Sequence, residues 1–192
     1  MRTIVWDVED VLNDLIRTWF DTWWRPAHPD CALAYQEISE NPPQRILGVC
    51  LEEYLESLDA FRSSETTMMQ PPTEVIDWFH GYGKDFRHVA LTAVPLRAAS
   101  PLASWVFNHY GLWIRSFNVV PSRRVGEILP AYDRTKVDFL QWWGMADILV
   151  DDNAATVESA RRLGIEAVLM PRPWNPSRLT VTDTLQYLAG LA

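Results

Sequence analysis

The residues best able to do chemistry in this sequence are carboxylates at the ends of short apolar runs. Asp7 and Glu9 follow Ile4-Val5-Trp6 two positions apart, and Asp151 and Asp152 follow Ile148-Leu149-Val150 as an adjacent pair. Between them in the chain, Val89-Ala90-Leu91 runs into the hydroxyl of Thr92, and Lys136 opens a helical pattern ahead of the second acidic pair. If these runs are parallel strands, their carboxyl ends converge on one crevice. Asp7, Asp151 and Asp152 would crowd negative charge there, which a hard, oxygen-seeking cation such as Mg2+ would neutralise. The Thr92 hydroxyl and the Lys136 ammonium would then hold an anionic group such as phosphoryl. Taken singly, each residue has an ordinary explanation: Asp caps helices, Thr suits strands, and a helix lysine is usually solvated. Their order along the chain joins them.

The elements that must position these residues are legible as alternating patterns. Runs of strand length at 3–6, 88–91, 117–120, 148–150 and 167–170 are rich in apolar residues without strict alternation, as parallel strands covered on both faces require. Helical patterns lie between them. Ser100 with Pro101 reads as a helix start, with Leu102, Trp105, Val106 and His109 on one face before Gly111. Further helices are expected over 135–143, closed by Gly144, and over 154–163, closed by Gly164. This alternation predicts a three-layer α/β sandwich around a parallel sheet.

About 75 residues separate the first two strands, far more than a plain crossover needs. Leu12, Leu15, Ile16, Trp19, Phe20 and Trp23 fall at helical spacing, followed by a proline-bearing stretch and helical patterns near 45–61 and 73–80. Residues 13–71 are therefore expected to form a helical insertion, a cap over the carboxyl ends of the strands, with 1–12 and 72–192 as the core domain.

The chain has 192 residues with 17 Lys+Arg against 25 Asp+Glu, a net charge of −8. That balance argues against binding a nucleic-acid polymer, which needs a concentrated basic face. No apolar run approaches the roughly 20 residues of a membrane span, and the first residues lack a secretory pattern, so a cytoplasmic protein without a membrane partner is expected. Cys31 and Cys50 form no CxxC, and the four histidines show no HExxH spacing, so neither a thiolate nor a histidine metal site is indicated.

The sequence resembles the haloacid dehalogenase (HAD) superfamily through four ordered motifs: strand-Asp7-x-Glu9-x-Val11-Leu12, strand-Thr92, Lys136, and strand-Asp151-Asp152. The insertion after the first motif is similar to that family's small helical cap, and the resemblance spans nearly the whole chain. Leu91-Thr92-Ala93-Val94-Pro95, the short gap from Lys136 to Asp151, and Pro171-Arg172-Pro173-Trp174-Asn175 look most like the 5'(3')-deoxyribonucleotidase branch. The resemblance implies a HAD-like Rossmannoid fold and a Mg2+-dependent phosphomonoester hydrolase acting through an aspartyl-phosphate. On the matching positions, Asp7 is the nucleophile, and Asp7, the main-chain carbonyl of Glu9, Asp151 and Asp152 hold Mg2+. Thr92, with Ala93, binds the phosphoryl group and Lys136 offsets its charge. The substrate would be a small phosphorylated molecule such as a (deoxy)nucleoside monophosphate, the protein a monomer or homodimer.

Two positions depart from the family pattern. Glu9 stands where the family has a second Asp, the general acid and then base, which puts its carboxylate one methylene farther from the backbone. Asp10 stands where glycine is usual. A weakly active or inactive binding protein on the same scaffold, or a phosphatase for another small metabolite, are the alternatives. A receiver domain is excluded, because it would carry its acidic pair at the first strand and its lysine last.

The sequence also has ten Trp. Trp19, Phe20 and Trp23 lie on the apolar stripe and are expected in the core. Trp24 falls off that stripe and is the candidate for stacking on a base, with Trp174 as a second ring and Arg97 as a second phosphate contact.

Overall fold

The computed structural model describes residues 1–130 and 132–192. Five parallel strands, β1 (Thr3–Trp6), β2 (Arg87–Thr92), β3 (Ile114–Val119), β4 (Ile148–Asp151) and β5 (Glu166–Leu169), form one sheet in the order β3-β2-β1-β4-β5. The chain moves outward from β1 to β3, then returns to lay β4 on the other side of β1. The β1/β4 boundary is thus the switch point at which crossovers diverge and leave a crevice.

Alternation along the strands divides the core in two. Val5, Val89, Leu91, Leu149 and Ala167 face one side, where they pack with Phe139 and Leu140 of α6 (Lys136–Trp143) and Val157 and Ala160 of α7 (Ala154–Arg162). Ile4, Trp6, Ala90, Ile148, Val150 and Val168 face the other side. There they meet α4 (Thr73–Tyr82), α5 (Leu96–Tyr110) and α8 (Val181–Ala189). Both sheet faces are covered, which explains why the strands read as continuous apolar runs.

Between β1 and β2 the structure places α1 (Leu15–Trp19), α2 (Arg25–Ala27) and α3 (Leu51–Glu65). A π-helical turn, Phe20–Trp24, joins α1 to α2. That turn widens the helix by one residue and rotates the residues after it. Trp24 swings inward to 2% exposure and Trp23 outward to 36%. Trp24 stacks on His28 with ring centroids 3.8 Å apart and packs against Trp19 at 5.3 Å. The expectation that Trp24 offers a stacking surface is corrected: a regular 3.6-residue period does not survive the π turn.

Two helix starts also differ from the sequence reading. α3 begins at Leu51 rather than near 45, and α5 begins at Leu96, so Pro101 lies inside the helix instead of opening it. Of the histidines, His88 is buried, accepting a hydrogen bond from Trp6 Nε1 at 3.0 Å through Nδ1 and contacting the Gly83 carbonyl through Nε2 at 2.8 Å.

The loop leaving β1 is fixed from several directions. Asp10 adopts φ 59°, a left-handed conformation that Asp tolerates better than most side chains. Asn13 Oδ1 accepts the Asp10 amide at 3.1 Å and the Leu15 amide at 3.2 Å, while Asp10 Oδ1 accepts the Ile16 amide at 2.9 Å. The buried Tyr110 hydroxyl of α5 donates to the Leu12 carbonyl at 2.8 Å. Tyr110→Phe leaves that carbonyl unpaired, and urea unfolding should show a loss of about 1–2 kcal/mol.

Candidate active site

Register delivers the acidic residues to one place. Trp6 pairs with Val150 across β1 and β4, so Asp7 and Asp151 emerge side by side. The Asp7 amide donates to the Val150 carbonyl at 2.9 Å, and the Met170 amide to the Asp151 carbonyl at 2.9 Å. Oxygens of Asp7, Asp151 and Asp152 lie within 4.8 Å of one another, and all three residues are buried.

Each carboxylate is oriented by local structure. Asp7 Oδ1 accepts the Val8 amide at 2.7 Å, and Asp151 Oδ1 accepts the Asn153 amide at 2.8 Å. Asn153 then caps α7, its Oδ1 accepting the Ala155 and Thr156 amides at 3.0 Å each. Trp174 Nε1 donates to Asp152 Oδ2 at 2.7 Å, and Asn175 Nδ2 holds the Asp152 carbonyl at 2.9 Å. The indole N–H of Trp174, the second ring expected for a ligand, orients an acidic side chain.

Lys136 is placed by a reciprocal cap. The Thr135 hydroxyl accepts the Asp138 amide at 3.1 Å, and Asp138 Oδ2 accepts the Thr135 amide at 3.0 Å. This starts α6 so that Lys136, its first residue, reaches the sheet end. Its Nζ contacts Asp7 Oδ2 at 2.6 Å and Asp151 Oδ2 at 2.8 Å.

One ammonium does not balance three carboxylates. Burial raises the pKa of Asp7 well above the carboxylate range; Lys136 opposes that rise, and Asp151 and Asp152 add to it. Asp152 is pushed up to about 6, first by burial and then by Asp151, against the pull of Lys136 and Trp174. Burial alone would lower the pKa of Lys136, but Asp151 and Asp7 outweigh it and hold the ammonium charged. An excess of buried negative charge in an all-oxygen donor set fits a small hard cation and does not fit a soft one.

These residues line a cleft of about 360 Å³ together with Thr92 and Ala93 from the end of β2. Its opposite wall is Leu15, Ile16, Tyr54, Leu58 and Arg62, from the segment between β1 and β2. Asp151 sits behind Lys136, fully buried. Of the residues singled out in the sequence, the structure brings Asp7, Glu9, Thr92, Ala93, Lys136, Asp151 and Asp152 together.

Two others go elsewhere. Trp24 is in the core. Arg97 does not line the cleft: its guanidinium is taken by Asp59 at 2.7 Å and Glu127 at 3.3 Å. The Glu9 side chain is also engaged, both oxygens accepting from Arg62. Arg62 and Tyr54 on α3 were not visible as site residues from sequence, since nothing local marks a single arginine or tyrosine on a helix.

No family model and no curated protein matches this sequence. Solved structures do match in shape. A haloacid dehalogenase-like hydrolase from Streptococcus pneumoniae superposes with a TM-score of 0.62 at 14% identity, covering 100% of this chain and 99% of that one. A subfamily IA HAD hydrolase from Geobacter sulfurreducens gives 0.51 at 15% identity, over 97% and 99%. The protein tyrosine kinase PtkA from Mycobacterium tuberculosis gives 0.63 at 16% identity, over 98% of each chain. The fold is therefore the HAD-like Rossmannoid α/β fold, and the cleft lies at its strand ends.

The raised pKa of Asp152 gives a signed test. A carboxylate whose pKa is raised by folding costs stability once pH exceeds its unfolded value, and the cost is complete above its folded value. Asp152→Asn should stabilise the metal-free protein at pH 8 by up to ~3 kcal/mol. That gain should shrink as pH falls through about 6 and vanish near pH 4. Thermal denaturation of both proteins across that pH range measures it.

Proposed function

We propose that the protein is a phosphomonoester hydrolase of HAD type that works through an aspartyl-phosphate on Asp7, with Mg2+ as its cofactor. The observation that carries this reading is the buried Asp7, Asp151 and Asp152 cluster at the β1/β4 switch point, with Lys136 between two of its members. HAD hydrolases of the same fold support it.

Asp7, Asp151 and Asp152, with the Glu9 carbonyl, are the groups to hold the ion. Mg2+ bound there would neutralise the carboxylates and polarise the phosphoryl oxygens. The chain's own residues do the rest. Val8 N–H and Lys136 fix the two oxygens of Asp7 so that one can attack phosphorus in line. The Asp7 oxygen–phosphorus bond forms as the ester oxygen–phosphorus bond breaks. The departing oxygen takes a proton from the protonated form of Glu9, one oxygen of which leaves the Arg62 fork to carry it. Water then attacks phosphorus, passing a proton back to the Glu9 carboxylate, and cleaves the aspartyl-phosphate, returning Asp7 and releasing inorganic phosphate. Thr92 and Ala93 at the end of β2 hold the non-reacting phosphoryl oxygens, and Lys136 offsets their charge.

The segment between β1 and β2 acts as a cap, and the cleft volume suits a small metabolite. Nucleoside monophosphates remain within that class. With Trp24 buried, the aromatic side chain on the cleft wall for a base is Tyr54. A purely binding role is the second reading, favoured by one observation: the Glu9 carboxylate is already occupied by Arg62.

Release of phosphate from an aryl phosphate and from a panel of nucleoside monophosphates distinguishes them. We expect turnover that requires Mg2+ and stops on chelation, and a fall on the order of 1,000-fold or more in Asp7→Asn. Turnover that survives Asp7→Asn contradicts the covalent route, and none from any phosphomonoester favours the binding role.

A further inference from the structure

Glu9 belongs to a chain of ion pairs that crosses from the β1 loop to α3 and back to the core. Arg62 donates from Nε to Glu9 Oε1 at 2.8 Å and from Nη2 to Glu9 Oε2. Its Nη1 turns to Asp59, one helical turn earlier, at 2.8 Å. Asp59 accepts a second fork from Arg124, in the loop after β3, at 2.6 and 2.9 Å. It also accepts Arg97, at the start of α5, at 2.7 Å. The Glu9 and Arg62 side chains are only 12% and 8% exposed.

Three properties set this chain apart from surface ion pairing. Its charges match, since Glu9, Asp59 and Glu127 face Arg62, Arg97 and Arg124. Two of its contacts are two-pronged, which fixes the planes of both partners as well as their distance. Its middle, Asp59 with Arg62, is also buried, where loss of one member leaves an uncompensated charge, while Arg97 at its end is half exposed. α3 can therefore dock on Arg97 and Arg124 and hold Glu9 in the same closed arrangement.

We propose that Arg62 is a positioning residue for the reaction: it holds the Glu9 carboxylate from the cap, so Glu9 is in place only while α3 is docked. This rests on the phosphatase reading and adds to it a coupling between cap docking and position 9. Glu9 and Arg62 are a matched pair. An Asp at position 9 is one methylene, about 1.5 Å, too short to keep the two-pronged contact. Glu9→Asp thus breaks the pair rather than repairing the site, even though it restores the family's usual residue.

The test uses the full chain as parent, Glu9→Asp, Glu9→Gln, Arg62→Gln, Arg62→Lys and the Glu9→Gln/Arg62→Gln double variant, with Mg2+ and an aryl phosphate. We expect Arg62→Gln to lower kcat by roughly 10- to 100-fold, as Glu9→Gln does, with KM within about threefold. The double variant should be no slower than the slower single variant, the signature of residues acting as one unit. Arg62→Lys keeps charge without the fork and should recover only part of kcat. Glu9→Asp should fall below the parent. Multiplying losses in the double variant, an unchanged kcat in Arg62→Gln, or a faster Glu9→Asp each overturn the proposal.

Amide hydrogen exchange over 51–65 separates this from the phosphatase reading. Both Glu9→Gln and Arg62→Gln should speed exchange there, whether or not the parent turns over. A parent without turnover sinks the phosphatase reading alone, whereas unchanged exchange in Glu9→Gln sinks the coupling.

Discussion

Lys136 between Asp7 and Asp151 is the interaction on which the rest of the structure depends. It joins the first residue of α6 to the ends of the two central strands, at contacts of 2.6 and 2.8 Å. Without it, three carboxylates gathered by strand register would repel one another in a buried crevice, each raising the cost of ionising the next. With it, the cluster keeps part of its charge and stays short of neutrality. The architecture therefore builds a deficit of positive charge at the point where α/β folds bind ligands. That deficit is the chemical property of the site, and it suits a hard cation.

A second network, built on Asp59 and Arg62, answers a different constraint. The helices between β1 and β2 pack their apolar faces into the larger core cluster, through Leu15, Ile16, Trp19, Tyr54 and Leu58. Apolar packing fixes where these helices sit but tolerates small sliding. Forked guanidinium–carboxylate contacts do not, because they fix plane and distance together. The wall of the cleft that this segment forms is thereby set with a precision that apolar packing alone would not supply.

Much of this was legible in the sequence, for an identifiable reason. Apolar runs ending in Asp7, Thr92 and Asp151 are local patterns, and a parallel sheet converts local patterns into one site through register. The features that escaped depended on geometry or distance. The Trp23 and Trp24 faces exchanged because a π turn added one residue to a helix whose period looked regular. α5 starts at Leu96 because Pro95 already supplies a break, which the Ser100-Pro101 signal masked. Arg62 lies 53 positions from Glu9, and Arg124 lies 65 from Asp59, so neither pairing leaves a mark at local spacing. Even Asp10, whose backbone is left-handed, is held in that conformation by hydrogen bonds to Asn13 and Ile16.

Asp7, activated within this cluster, is proposed to become covalently phosphorylated. Rapid acid quenching of the parent protein mixed with Mg2+ and an aryl phosphate, followed by mass spectrometry of its peptides, tests this most directly. The mass of one added phosphoryl group is expected on the peptide containing Asp7, appearing before phosphate release reaches its steady rate. Steady phosphate release with no phosphorylated peptide, or with the phosphoryl group on another residue, would contradict it.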